Sequence, residues 1–232
     1  MLGRTLDVAT SFGASAARLG AGMAVAGAGK RPAESLVLYD FEACPFCRKA
    51  REALSILDLD ATIYPCPKGG PRFREEVRRR GGKALFPYLV DPNTKREMYE
   101  SSDIVRYLFE TYGDGSVPWS LGLGPLTVAG SALASACRFG QGERYRRARA
   151  PEKPLGLWSF EASPFCRLVR EELTSLELPY LLHNVAKGSA KRDAFAARSG
   201  KMMVPYLVDP NTGVAMFESA DIVRYLRETY AE

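Results

Sequence analysis

Long stretches of this chain occur twice. PYLVDPNT stands at residues 87–94 and again at 205–212, and DIVRYL stands at 103–108 and 221–226, each time running on to ETY. FEACPFCR at 41–48 returns as FEASPFCR at 160–167. A tandem duplication constrains the fold more than any local pattern, because whatever one copy folds into, the other must also fold into. The repeat also reaches forward of these motifs. LDVATSFGASAARLGAG at 6–22 aligns with LTVAGSALASACRFGQG at 126–142, with Ser11, Ala14, Ser15, Arg18, Gly20 and Gly22 among the identical positions. An Ala/Ser/Gly-rich, acid-poor terminus otherwise reads as a targeting peptide. A discarded peptide has no reason to recur in mid-chain, so residues 1–30 are expected to belong to the working protein. The organisation is a leader (1–35), a module (36–113), a second leader with a basic linker (114–154) and a second module (155–232).

Within the first module, LVLYDF (36–41) is a buried strand, and Cys44-Pro45 opens a helix, with Pro45 suited to its first turn. ATIYP (61–65) is a second strand, 71–80 a basic helix, PYLVD a third strand, DPNT a turn and EMYE a fourth strand. Ser101 is expected to cap a last helix running through Tyr112. The fold class is α/β: two tandem βαβαββα modules, each behind a small-residue leader helix. In the leaders Leu2, Leu6, Ala9, Phe12, Ala16, Leu19, Met23 and Ala26, then Leu126, Ala129, Leu133, Ala136 and Gly140, step by three and four and mark the expected packing faces. ERYRRARAPEKP (143–154) reads as a linker.

Composition narrows the function classes. A formal net charge of +5 is too mild to call for nucleic acid. Five unevenly spaced cysteines are not a secreted disulfide framework and fit a reducing compartment. One histidine, His183, and no paired zinc-type clusters argue against a protein-only metal site. The uncharged stretch from Gly115 to Cys137 is long enough to cross a bilayer, but Pro118, Pro125 and its Gly and Ser residues are poor material for a span.

Cys-Pro-Phe-Cys after a strand, a Pro opening a strand, and ES-x-DI-x-x-YL, found twice in the same order, resemble the thioredoxin-like N-terminal domain of glutathione transferases and glutaredoxins. The resemblance covers about 36–113 and 155–232. The tandem arrangement with leaders is similar to plant and algal plastid proteins, which implies a chloroplast setting, in the stroma or on the thylakoid periphery. The resemblance implies a glutathione site in which Cys44 is the exposed nucleophile, Cys47 its resolving partner, Pro87 a cis-proline, and the Phe86 backbone pairs with the cysteinyl part. Glu100 and Ser101 take the γ-glutamyl end. Phe86 stands where the family commonly has Val and crowds that slot. The matching second site is degenerate: Ser163, Cys166, Val204, Pro205, Glu218 and Ser219.

The residue chemistry runs parallel to the resemblance. A sulfur at a helix N-terminus meets unpaired N–H groups and the dipole, which stabilise a thiolate, and Arg48 and Lys49 add positive potential. Cys47, three residues on, shares that face. Buried apolar packing is the plainer reading of any such pair. Ser163 cannot form a disulfide, so the second module is redox-silent. Cys66, Cys137 and His183 receive no role. The run 72–83 is a solvated basic face or a docking face for an anionic partner.

Two functions stay open. One is a glutathione-linked thiol–disulfide oxidoreductase or glutathione-binding protein, with glutathione or protein thiols as partners. A classical transferase is less favoured, because no large helical domain follows either module. The other is a non-enzymatic assembly factor that docks on a thylakoid membrane protein complex through its leaders or basic faces. A [2Fe–2S] cluster shared between Cys44 and glutathione is the weakest of the readings.

Overall fold

The computed structural model describes residues 3–18, 20–122 and 125–232, and only the backbone of residues 4 and 125–127. The first copy runs α1 (Arg4–Ala17), β1 (Leu36–Asp40), α2 (Pro45–Ile56), β2 (Ala61–Pro65), α3 (Arg74–Gly81), β3 (Tyr88–Asp91), β4 (Arg96–Met98) and α4 (Ser101–Tyr112). After a short α5 (Trp119–Gly122), the order repeats as α6 (Pro125–Ala136), β5 (Leu155–Ser159), α7 (Pro164–Ser175), β6 (Tyr180–Asn184), α8 (Arg192–Ser199), β7 (Tyr206–Asp209), β8 (Val214–Phe217) and α9 (Ser219–Tyr230). The βαβαββα order expected of each module is present in both.

The two modules share one sheet. Its strands run β4-β3-β1-β2-β6-β5-β7-β8, with β1/β2 and β5/β6 parallel and the rest antiparallel. β2 meets β6 in antiparallel register, Ala61 opposite Leu182 and Ile63 opposite Tyr180. Each module thereby covers the exposed inner edge of the other.

The leaders cross over. α1 packs on α7 and α6 packs on α2, so each leader lies on the other copy's helix. The face that packs is not the Leu/Phe stripe marked by periodicity. Ser11, Ala14 and Arg18 are buried, as are Ser131, Ala134 and Arg138, while Leu6, Phe12 and Leu133 point outward. The reason is the partner: α1 sits on polar backbone at the start of α7. Ser11 Oγ donates to the Pro164 carbonyl at 2.7 Å, Ser15 Oγ donates to the Ala162 carbonyl at 2.7 Å, and Arg167 Nη1 donates to the Ser11 carbonyl at 2.6 Å. The first helix stops at Ala17, so Met23 and Ala26 lie in the turns beyond it. Leu2, Leu19 and the Leu126 side chain lie outside the described residues. Gly22 and Gly142 carry the chain across the seam with left-handed φ of 79° and 72°. A Cβ there would stand 3.0 Å from Cβ of Glu161 and 2.8 Å from Cβ of Glu42, which explains why both leaders repeat the glycine.

That seam holds a buried ion network. Arg51 meets Asp40, and it meets Glu42 and Glu161 at 3.1 Å each. Arg170 meets the same Glu42 and Glu161 at 3.1 Å each. Each glutamate is thus held by arginines from both modules. Arg18 and Arg138 extend the network outward to Glu52 and Glu171. Burial pushes Glu42 upward, but Arg170, Arg51 and Arg48 outweigh it and hold its carboxyl at about 2. Asp40 goes the other way: burial lifts it to about 6 despite Arg51.

The segment read as a linker is docked. Arg146 N donates to the Ser175 carbonyl at 2.7 Å, Arg149 N to Tyr230 at 2.9 Å, and Arg72 reaches the Ala148 carbonyl.

Candidate functional site

Cys44 is the N-cap of α2, and its sulfur accepts the Cys47 N–H at 3.3 Å. Ser163 occupies the same position on α7, where its hydroxyl accepts the Cys166 N–H at 3.2 Å. Serine is a strong N-cap residue, so the second copy keeps the helix start while discarding the thiol. All five cysteines are free thiols.

The electrostatics of the pair are polarised. A hydrogen bond from the Cys47 thiol, opposed by burial and helped by the N–H groups of Cys47 and Phe46 and by Arg51, draws the Cys44 thiol below its ordinary value. Burial, then Cys44 and Asp40, pushes Cys47 well up. The assisting cation is therefore Arg51. Arg48 is turned into the seam, 3.6 Å from Glu161, and Lys49 donates to Ser102 Oγ at 2.9 Å.

Cys44 is not the exposed nucleophile that the resemblance implies. It is 5% exposed, with its sulfur 3.9 Å from the Phe86 carbonyl. Phe86 itself is fixed edge-on against Phe41 and under the Arg74 guanidinium, 4.7 Å from the ring centre. Cys66 is also buried, its thiol 3.4 Å from the Tyr64 carbonyl, and Cys137 is half-buried. His183 stacks on Trp158 and sits 3.2 Å from Asp60 Oδ2, a satisfied position. Among the described residues, no group of three or more His, Cys, Asp or Glu could hold a metal ion.

Phe86–Pro87 and Val204–Pro205 are cis peptides. The start of α9 lies beside Val204–Pro205, and the start of α4 is its counterpart in the first copy. Glu100 and Glu218, not Ser101, occupy the N-cap positions, and Ser101 and Ser219 are the first helical residues. Glu100 and Glu218 have φ of 62° and 67°, a conformation that costs a non-glycine residue about 1–3 kcal/mol and clusters at functional sites. The repeated Tyr-Leu-Val-Asp motif has a plainer task. Asp91 accepts from Tyr107 and Tyr112 at 2.5 and 2.6 Å, and Asp209 accepts from Tyr225 and Tyr230 at 2.7 and 2.5 Å, tying each last helix to the sheet.

In the second module these parts enclose an open pocket of about 250 Å³, lined by Phe165, Met203, Val204, Pro205, Glu218 and Ser219. The structure thus brings Val204, Pro205, Glu218 and Ser219 together around one space. Ser163 and Cys166 stand at the head of α7, from which Phe165 projects.

Residues 38–116 and 157–232 match the family model for the glutathione S-transferase N-terminal domain, well over half of the chain. The chain belongs to the glutathione S-transferase N-terminal domain family. Both modules are domains of this type. Among solved structures, the trimeric glutathione transferase of Leishmania, TDR1, is similar over 86% of this chain and 68% of its own, at 14% identity and a TM-score of 0.30. That similarity is too low to carry any argument about function. No curated protein matches the chain.

Sequence reasoning missed the seam arginines. The signal was present: Glu42, Arg48 and Arg51 recur as Glu161, Arg167 and Arg170, on helices whose other residues are core.

The polarised thiols give a direct expectation. In native protein, Cys44 should be alkylated by iodoacetamide ahead of Cys47, Cys66 and Cys166, with a rate midpoint below that of a free thiol near pH 8.5, because its thiolate persists to lower pH. Peptide mass spectrometry across pH 6–10 reads this. A Cys44 midpoint at or above that of a free thiol would contradict the helix-tip account.

Proposed function

We propose that the protein binds glutathione in the groove of its second module and keeps a thiol–disulfide pair, Cys44 and Cys47, in its first. The observation that carries this is the pocket whose lining unites Pro205, Glu218 and Ser219, which the first copy repeats as Pro87, Glu100 and Ser101, with Val204, which stands where the first copy has Phe86. The N–H groups at the start of α9 suit the γ-glutamyl carboxylate, and the carboxylate of Glu218 suits its ammonium. The burial of Cys44 puts binding ahead of catalysis. When Phe86 moves aside, the Cys44 thiolate attacks one sulfur of a mixed disulfide and expels the other half as a thiolate. Cys47 then attacks Cys44 Sγ and releases the first half, leaving a Cys44–Cys47 disulfide. Two glutathione molecules return it to thiols and leave as glutathione disulfide. Calorimetric titration with S-methylglutathione, which cannot exchange disulfides, tests the binding half: saturable heat is expected, and none overturns the proposal.

A second reading, a docking factor for a membrane protein complex in the chloroplast, draws on one observation. The leader segments leave Phe12 and Leu133 half or more exposed, with Phe139 and Trp119 beyond them at 70% and 66%. Among the described residues no helix is long and apolar enough to cross a membrane, so contact would be peripheral. Co-purification of a partner from detergent-solubilised thylakoids is the expected result, lost in Phe12→Glu/Leu133→Glu. Recovery of the full chain only as a free monomer would sink it.

A further inference from the structure

The pocket beside Pro205 has a neighbour across Ser219. A second cavity, also about 250 Å³, lies between α1, α7 and α9, and Phe165 and Ser219 line both spaces. The two therefore stand end to end, with the head of α9 at their junction. Each alone falls just under the roughly 300–1,000 Å³ of an ordinary ligand site, and together they fall inside it. The first runs along the cis-proline. The second runs down the groove between α7 and α9, roofed by the leader helix. Its apolar wall is Val8, Leu168 and Val223, and its polar wall carries both signs, with Asp7 and Glu172 against Arg227. Glu172 is held by Arg227 at 2.8 Å, and Asp7 lies 3.4 Å from Arg138.

We infer that the second module takes γ-glutamyl peptides longer than glutathione, extended at the amino end, with the added residues in this second cavity. The inference rests on the glutathione reading of the neighbouring groove. In that reading the γ-glutamyl end lies at Ser219, which is the wall the two spaces share. Acylating the glutathione amino group with a further γ-glutamylcysteinyl unit turns its ammonium into an amide N–H, which still donates to Glu218, and leads the chain over Ser219 into the second cavity. The new end is a zwitterion, one ammonium and one carboxylate, and it meets carboxylates and a guanidinium together. The new cysteinyl side chain lies on Val8, Leu168 and Val223. An extension at the glycine end gains nothing, because it leaves the second cavity empty.

The test titrates the full chain with three thiol-blocked probes: S-methylglutathione, the di-S-methyl form of (γ-Glu-Cys)2-Gly, and S-methylglutathione lengthened by one glycine at its carboxyl end. The amino-extended probe is expected to bind about tenfold tighter than S-methylglutathione, and the glycine-extended probe no tighter. Val223→Trp fills the second cavity outside the Pro205 groove and should erase the tenfold advantage while leaving S-methylglutathione binding unchanged. Asp7→Asn, which keeps the side chain's volume beside Arg138 and removes only its charge, should reduce the same advantage, so a misfolded tryptophan variant does not decide the matter. If S-methylglutathione binds and the amino-extended probe binds no better, the inference is overturned and the groove reading stands. If neither probe binds, both are overturned.

Discussion

Arg51→Met is expected to cost the protein about 3–5 kcal/mol at pH 7, which for a chain of this size lowers Tm by about 6–20 °C. Arg51 is fully buried, and it faces Asp40, Glu42 and Glu161 at once. Its removal strands Asp40 and leaves Glu42 and Glu161 one arginine short, all three buried, and the penalty comes from those uncompensated charges rather than from the lost pairing energy. Arg170→Met is expected to cost less, because Arg170 faces only Glu42 and Glu161, and Ser159 stands where the first module has Asp40. Arg106→Met, which loses only an exposed pair with Asp103, should cost under about 1 kcal/mol. The pH dependence has a definite sign. Carboxylates whose folded pKa is raised lose stability as pH rises through that value, so the Arg51→Met deficit should shrink as pH falls from 7 to 5. In the wild type, Glu42, held at about 2, contributes stability that is present above its ordinary value and lost only as pH falls towards 2. Thermal unfolding of the three variants at pH 5 and 7 checks the order. Equal costs for Arg51 and Arg106 would mean the seam network does not hold the modules together.

Val204→Phe is expected to weaken S-methylglutathione binding by about 30-fold or more, equivalent to about 2 kcal/mol. Val204 lines the space beside Pro205, and a phenylalanine there copies the first module, where Phe86 is clamped between Phe41 and Arg74. The added ring occupies the volume the peptide needs, so the loss appears in affinity with little change in fold. Unchanged affinity would place the ligand elsewhere.

How much of this was legible in the sequence depended on how local the cause was. The element order of each module could be read because its signals are short-range: Pro45 and Pro164 at helix starts, DPNT at the β3–β4 turn. Ser219, Pro205 and their counterparts could be named because the copies repeat them. The leader faces could not be read. Periodicity picks out the most apolar stripe, but α1 packs on carbonyl groups at Ala162 and Pro164, which call for serine hydroxyls. The seam was hidden for a related reason. Arg51 and Glu161 are 110 residues apart in sequence, and a charge reads as surface until its partner is known. That Phe86 crowds the first slot could be read from the residue type, but the near-complete burial of Cys44 beside the Phe86 carbonyl could not.

The central claim is that one groove geometry occurs twice, open where residue 204 is valine and closed where residue 86 is phenylalanine. Equilibrium dialysis of S-methylglutathione against wild type and Phe86→Val measures it most directly, as ligand bound per chain. One molecule per wild-type chain and two per Phe86→Val chain is the predicted result. No binding to the wild type, or one molecule in both, would contradict it.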